Sequence, residues 1–135
     1  MTYRVPGERK KALRSVLDRL RAGREVVLTT HVNADGDGIG CQVALHDALR
    51  RRGAHAWIVN PTPFPDRFGF LLDDESVVLD ASTERAREVC AGADLLVVVD
   101  TGEVSRIGRV RGMVKHLDTI VIDHHPAGPD SISGI

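Results

Sequence analysis

Apolar residues recur along this chain in two different periods, and the alternation between those periods predicts a layered α/β fold. From Pro6 to Ala22, the residues Leu13, Val16, Leu17 and Leu20 stand at i, i+3, i+4 and i+7, with Gly23 just past the end. That spacing predicts an amphipathic helix. The run Val26-Val27-Leu28 is short and uninterrupted by polar residues, the pattern of a buried parallel strand. A helix is expected over Ile39–Arg52, with Val43, Leu45, Ala48 and Leu49 inward and Gly53 as its stop. Ala54–Asn60 then reads as a second strand, so the first unit is strand, helix, strand with a right-handed parallel crossover.

The second half repeats the pattern less regularly. Pro61, Pro63 and Pro65 interrupt it, and Arg67–Leu72 follows as an apolar segment of one or two helical turns. Phe64, Phe68 and Phe70 are expected to cover the core rather than to stack on bases. Ser82 is a candidate cap for a helix whose apolar face is Ala86, Val89 and Cys90 and which ends at Gly92. Leu95–Val99 is the strongest strand. Ile107, Val110, Val114 and Leu117 have helical spacing between Glu103 and Asp118, although Gly108 and Gly112 oppose a continuous helix. Thr119–Ile122 reads as another buried strand, and Ala127–Ile135 is rich in turn residues. The expected fold class is α/β: a mostly parallel, Rossmann-like sheet in three layers, its helices on both faces, within a single domain over 1–135.

Three of these strands end in acids and histidines. After Val26–Leu28 come His31, Asp35 and Asp37; after Leu95–Val99 comes Asp100; after Thr119–Ile122 come Asp123, His124 and His125. In an alternating parallel sheet all three carboxyl ends lie on one edge. Carboxylates gathered there repel one another unless a cation neutralises them, and oxygen with imidazole nitrogen donors selects Mn²⁺ or Mg²⁺. The start Asn33-x-Asp35-x-Asp37-Gly38 imitates a calcium loop, but its twelfth position is Ala44 instead of a bidentate Glu. Gly36-x-Gly38-x-Gly40 lacks the spacing of a dinucleotide-binding loop. The helix after the loop aims its amino end at the site, where an anionic substrate would be held. His46, His55 and His116 are expected to be packing or surface residues.

Composition narrows the function. At 135 residues, 42% apolar and 27% charged, the chain is one globular domain's worth, and 4% aromatic content implies an aliphatic core. A net charge of -1 argues against a footprint for long duplex nucleic acid. Arg9, Lys10, Lys11, Arg14, Arg19 and Arg21 are expected to form a solvated helix face. With only Cys41 and Cys90, no disulfide framework or zinc site is expected, which places the protein by default in a reducing cytoplasm. No run is long and apolar enough to predict a membrane segment.

Between Val26 and Pro126 the sequence resembles the DHH phosphoesterases, named for the motif present here as Asp123-His124-His125. His-Val-Asn-Ala-Asp-Gly-Asp-Gly-Ile-Gly is similar to the family's first motif, Val-Val-Val-Asp-Thr to its second and Ile-Asp-His-His-Pro to its third, in the family's order. Ala34, Gly38 and Cys41 stand where the family often has Pro, Ala and Ser, and none of these removes a ligand. The branch most resembled contains nanoRNases and 3′-phosphoadenosine 5′-phosphate (pAp) phosphatases. The resemblance implies two Mn²⁺ or Mg²⁺ ions, one held by His31, Asp35 and Asp100 and the other by Asp37, Asp100 and His124. It further implies Asp100 and His125 as catalytic residues, with Asp123 supporting the site from behind the ligands. The implied substrate is a small nucleotide or short oligonucleotide, and a homodimer is compatible with it. The family's fourth motif, with one more metal-binding Asp, and its DHHA1 substrate domain are not in this sequence, so the front part of a DHH catalytic domain is expected. Family II pyrophosphatase-like hydrolysis, or a non-catalytic nucleotide-binding or regulatory role, are the alternatives.

Overall fold

The computed structural model describes residues 4–135, which form a five-stranded, wholly parallel sheet between two layers of helices. The strands are β1 (Glu25–Thr29), β2 (His55–Asn60), β3 (Val78–Asp80), β4 (Leu95–Val99) and β5 (Asp118–Ile122), in the order β3-β2-β1-β4-β5. The sheet thus winds outward in both directions from β1, and the reversal falls between β1 and β4. That reversal is where a crevice opens at the carboxyl edge. The helices are α1 (Gly7–Arg19), α2 (Gly36–Arg51), α3 (Glu84–Gly92) and α4 (Val110–Val114).

Alternate residues of the central strands feed two separate cores. Val26, Leu28, Ile58, Val97, Val99 and Ile120 pack with Leu20 and Leu49 on one face; Val27, Val59, Leu96 and Val98 pack with Ala86, Cys90, Val110 and Val114 on the other. All five residues of β4 are buried. Each such aliphatic side chain contributes about 1.5–3 kcal/mol, which is why this run reads so clearly in the sequence.

Several elements differ from expectation for identifiable reasons. α1 lies lightly on the sheet: Leu20 is buried and Val16 packs against the core, but Leu13 and Leu17 stay about half exposed. α2 begins three residues before Ile39, at Gly36, and it buries Ile39, Gln42 and Leu49 whereas Ala48 faces solvent. Thr83, not Ser82, caps α3, its hydroxyl accepting from the Ala86 N–H at 3.2 Å. β3 is an edge strand of only three residues, too short to leave a period. β5 is the opposite edge, so only Ile120 is fully buried and Ile122 is exposed. The segment after Glu103 breaks into a 3-10 turn (Val104–Ile107) and α4, because Gly108 turns with φ +49°. A Cβ there would also press on Pro61 at 3.0 Å. Asp66–Leu71 forms the expected short turn as a 3-10 helix, with Phe64 against the core, Phe68 half-buried and Phe70 projecting into solvent.

Candidate metal centre

The carboxyl ends of β1, β4 and β5 bring the predicted chemistry together. Asp100 follows β4 directly and is buried. Its backbone takes φ +60°, a conformation uncommon outside glycine, and its N–H is held by the Ile122 carbonyl at 3.0 Å. Strain of this kind persists where surrounding structure over-determines it, as at functional sites. Here it turns the Asp100 carboxylate so that the two oxygens face different partners. Oδ2 lies 3.4 Å from His31 Nε2, and Oδ1 lies 3.1 Å from His124 Nε2.

His31 is buried and fixed by its other nitrogen, Nδ1, which lies 2.8 Å from the Val32 carbonyl. A carbonyl can only accept, so Nδ1 carries the proton and Nε2 presents its lone pair toward Asp100 and toward Asp35 Oδ1 at 3.8 Å. Asp35 caps α2, its Oδ1 accepting from the N–H groups of Asp37 and Gly38 at 3.0 and 3.3 Å. The Gly38 bond, together with that from Asp37, the neighbouring His31 and Asp100, holds its carboxyl below the usual range against the opposing effect of burial. The loop is therefore the first turn of the helix itself, and the positive end of α2 faces the site.

On the β5 side, Asp123 Oδ1 accepts from the His125 ring at 2.7 Å and from the backbone N–H groups of His124 and His125 at 2.8 and 3.2 Å. Partial burial pushes the Asp123 carboxyl up, but these bonds outweigh it and the net shift is downward. The same hydrogen bond raises the His125 imidazole above its ordinary value, with Asp100 adding to it and Arg106 opposing it. The rings of His124 and His125 lie 4.3 Å apart, tilted by 50°.

Two groups of side chains can each offer converging ligand atoms within 4.8 Å of one another: His31, Asp35 and Asp100, and Asp100, Asp123, His124 and His125. Asp100 belongs to both. Asp37, in the first turn of α2, belongs to neither, although its charge acts with that of Asp100 on Cys41. Among the described residues, the ion-pair contacts of Asp35, Asp100 and Asp123 come from histidines alone. Carboxylates facing imidazole nitrogens, without a Lys or Arg to neutralise them, fit a divalent cation. His46, His55 and His116 lie outside these groups, as expected.

Sequence reasoning missed the frame that holds this edge. Gln42 and Asn60, both buried, exchange two side-chain hydrogen bonds at 2.7 and 3.0 Å, and Asn60 also accepts from the Thr30 N–H at 3.3 Å. Thr30 donates its hydroxyl to the Val99 carbonyl at 2.8 Å. α2, β2, β1 and β4 are thus tied together beside the ligands. A polar Gln on the inward face of an amphipathic helix is a signal that could have pointed to it.

Residues 25–134 match the DHH family, N-terminal domain. Over 107 residues the chain is 34% identical to the bifunctional oligoribonuclease and PAP phosphatase NrnA of Thermus thermophilus, a match covering 77% of this chain and 29% of that protein. In three dimensions it is similar to the crystal structure of an exopolyphosphatase-related protein from Bacteroides fragilis, with a TM-score of 0.81 and 22% identity over 96% of this chain and 38% of that one. The second likeness concerns the fold alone. This chain spans under a third of the length of the curated relative, and the motif-bearing edge of its sheet lies within the matched residues. The chain belongs to the DHH family, of which it carries the N-terminal domain.

Proposed function

We propose that the chain is a divalent-metal-dependent phosphoesterase acting on short oligonucleotides, linear or cyclic dinucleotides, or 3′-phosphoadenosine 5′-phosphate. The observation that carries this reading is the Asp100 carboxylate, buried and split between His31 on one side and His124 on the other. One ion would be held by His31, Asp35 and Asp100, and a second by Asp37, Asp100 and His124. Mn²⁺ suits the imidazole donors better than Mg²⁺. When bound, such ions supply a water of lowered pKa and positive charge that offsets the anionic phosphate.

The chain's own residues do the rest. The hydrogen bond from His31 Nδ1 to the Val32 carbonyl leaves the Nε2 lone pair free for a cation, and the amino end of α2 attracts the negatively charged substrate. His125, kept protonated to higher pH by Asp123, gives a proton to the oxygen that leaves phosphorus as water's oxygen replaces it. The relative's name, an oligoribonuclease and PAP phosphatase, supports the choice of substrates.

Asp100→Ala is expected to lower hydrolysis of a dinucleotide or pAp by about 10²-fold or more, with metal content lost by elemental analysis. His124→Ala should lose metal as well, whereas His125→Ala should keep its metal and lose turnover. Activity of Asp100→Ala within about tenfold of the parent would refute the assignment of Asp100 to both ions.

A further inference from the structure

Beside the metal centre, on the far side of His125, the structure contains a cavity of about 430 Å³. Its walls include Glu103, Arg106, Val121, Asp123, His125 and Ile132, but not His31, Asp35, Asp100 or His124. The volume lies within the range of about 300–1,000 Å³ occupied by small-molecule sites, and it exceeds what a lone phosphate needs. The wall is of mixed character, with Val121 and Ile132 apolar and Glu103, Arg106, Asp123 and His125 polar.

Arg106 is the cation in that wall. It sits on the 3-10 turn Val104–Ile107 and is exposed. Its backbone is anchored, the carbonyl accepting from the Val32 N–H at 2.9 Å and the N–H donating to the Glu103 carbonyl at 3.2 Å. Among the described residues its guanidinium makes no ion pair or hydrogen bond, unlike Arg50, Arg51 and Arg87, which pair with carboxylates on their own helices. Of the acids in the same wall, Asp123 is occupied by His125 and two backbone N–H groups, whereas the Glu103 carboxylate, packed against Gly128, makes no hydrogen bond or ion pair among the described residues. An unpaired guanidinium facing a cavity next to a phosphoester-cleaving centre is suited to a phosphate, which it meets with a planar fork of donors.

We propose that this cavity is the subsite for the part of the substrate beyond the scissile phosphate, and that Arg106 sets specificity by pairing with a second phosphate there. The inference rests on the phosphoesterase reading above and deepens it. The bond to be broken lies at His31, Asp35, Asp100 and His124, none of which lines the cavity, and His125 belongs to both the cluster and the cavity wall, so we place a second phosphate, beyond His125, at Arg106. Val121 and Ile132 receive the nucleoside between the two phosphates, and Glu103 accepts from its hydroxyl groups.

Two measurements test this. In steady-state hydrolysis of the dinucleotides pApA and ApA, Arg106→Ala should lower the ratio of their kcat/KM values by about tenfold, chiefly by raising KM for pApA. Arg106→Lys, which keeps a point charge, should restore part of that ratio. In the absence of metal, with EDTA present, AMP should shift the amide resonances of Gly102–Arg106 and Gly128–Ile132 in the wild type and not in Arg106→Ala. Equal losses on both dinucleotides, or AMP shifts undiminished in Arg106→Ala, overturn the subsite while leaving the phosphoesterase reading standing. If neither dinucleotide is cleaved but AMP maps to the cavity through Arg106, the subsite stands and the catalytic reading falls.

Discussion

At the scale of single residues, the chemistry of this edge depends on what each carboxylate and imidazole is already bonded to. His31 spends one nitrogen on a backbone carbonyl, which leaves the other for a cation; Asp123 spends one oxygen on three donors, which suits it to orient His125. Cys41, exposed near the start of α2, senses the same charge. Its thiol is raised first by partial burial and then by the negative charges of Asp100 and Asp37. Cations bound to those carboxylates would remove the electrostatic part and increase the thiolate fraction. Alkylation of Cys41 by neutral iodoacetamide at pH 8 should therefore accelerate about twofold or more on adding Mn²⁺, followed by mass spectrometry. Cys90, buried in α3 and pushed up to about 11 by that burial, should react only after unfolding. A Cys41 rate that is unchanged or slower with Mn²⁺ would remove the case for cations at Asp37 and Asp100.

At the scale of elements, the site is a strand, a loop that is the first turn of a helix, and that helix. Gly38 is the tightest point in this unit: a Cβ there would meet Thr30 Oγ1 at 2.5 Å, and Thr30 cannot rotate away without giving up its bond to the Val99 carbonyl. Gly40, two residues on, has open space around it. Gly38→Ala should cost about 1–2 kcal/mol in urea unfolding, overpacking outweighing the gain in helix propensity, whereas Gly40→Ala should stabilise by up to about 1 kcal/mol. In a Thr30→Ala background most of the loss at Gly38 should disappear, since Oγ1 is removed and only the Cβ of residue 30, at 3.3 Å, remains. A loss at Gly38 that persists in that background would place the strain elsewhere. This level also shows what the sequence could and could not disclose. The runs Val26–Leu28 and Leu95–Val99 were legible because strands buried on both faces are unbroken apolar stretches, and the acids after them followed from topology. The edge strands were harder. β3 has three residues, β5 is only partly covered, and α1 exposes half of its apparent apolar stripe, because the periods of short or one-sided elements carry little information. Arg106 was invisible for another reason: nothing in its local spacing marks it, and only the fold sets it beside His125.

At the scale of the whole molecule, two aliphatic cores hold a sheet whose carboxyl edge gathers Asp35, Asp100 and Asp123 among histidines. The cores supply the stability, and the edge uses part of it to keep Asp100 buried at a positive φ among other carboxylates. Asp100→Asn separates the two contributions, because Asn adopts this backbone conformation readily and carries no charge. In EDTA its Tm should equal or exceed that of the wild type, as expected where a functional site is held at a cost in stability. With Mn²⁺ the order should invert. A cation at about one hundred times its Kd stabilises the native wild type by about 2.7 kcal/mol, or several degrees in Tm for a domain of this size, and the variant should lose most of that shift. The first increment should come at lower Mn²⁺, from buried His31 and Asp100 with Asp35, which are already held in place. The second must gather exposed His124 and Asp37, so Asp37→Asn should remove only the later increment. Scanning calorimetry across a Mn²⁺ titration reads both outcomes: equal shifts in wild type and Asp100→Asn would show that the ions bind elsewhere, and a variant less stable than wild type in EDTA would show that the carboxylate stabilises the fold rather than straining it.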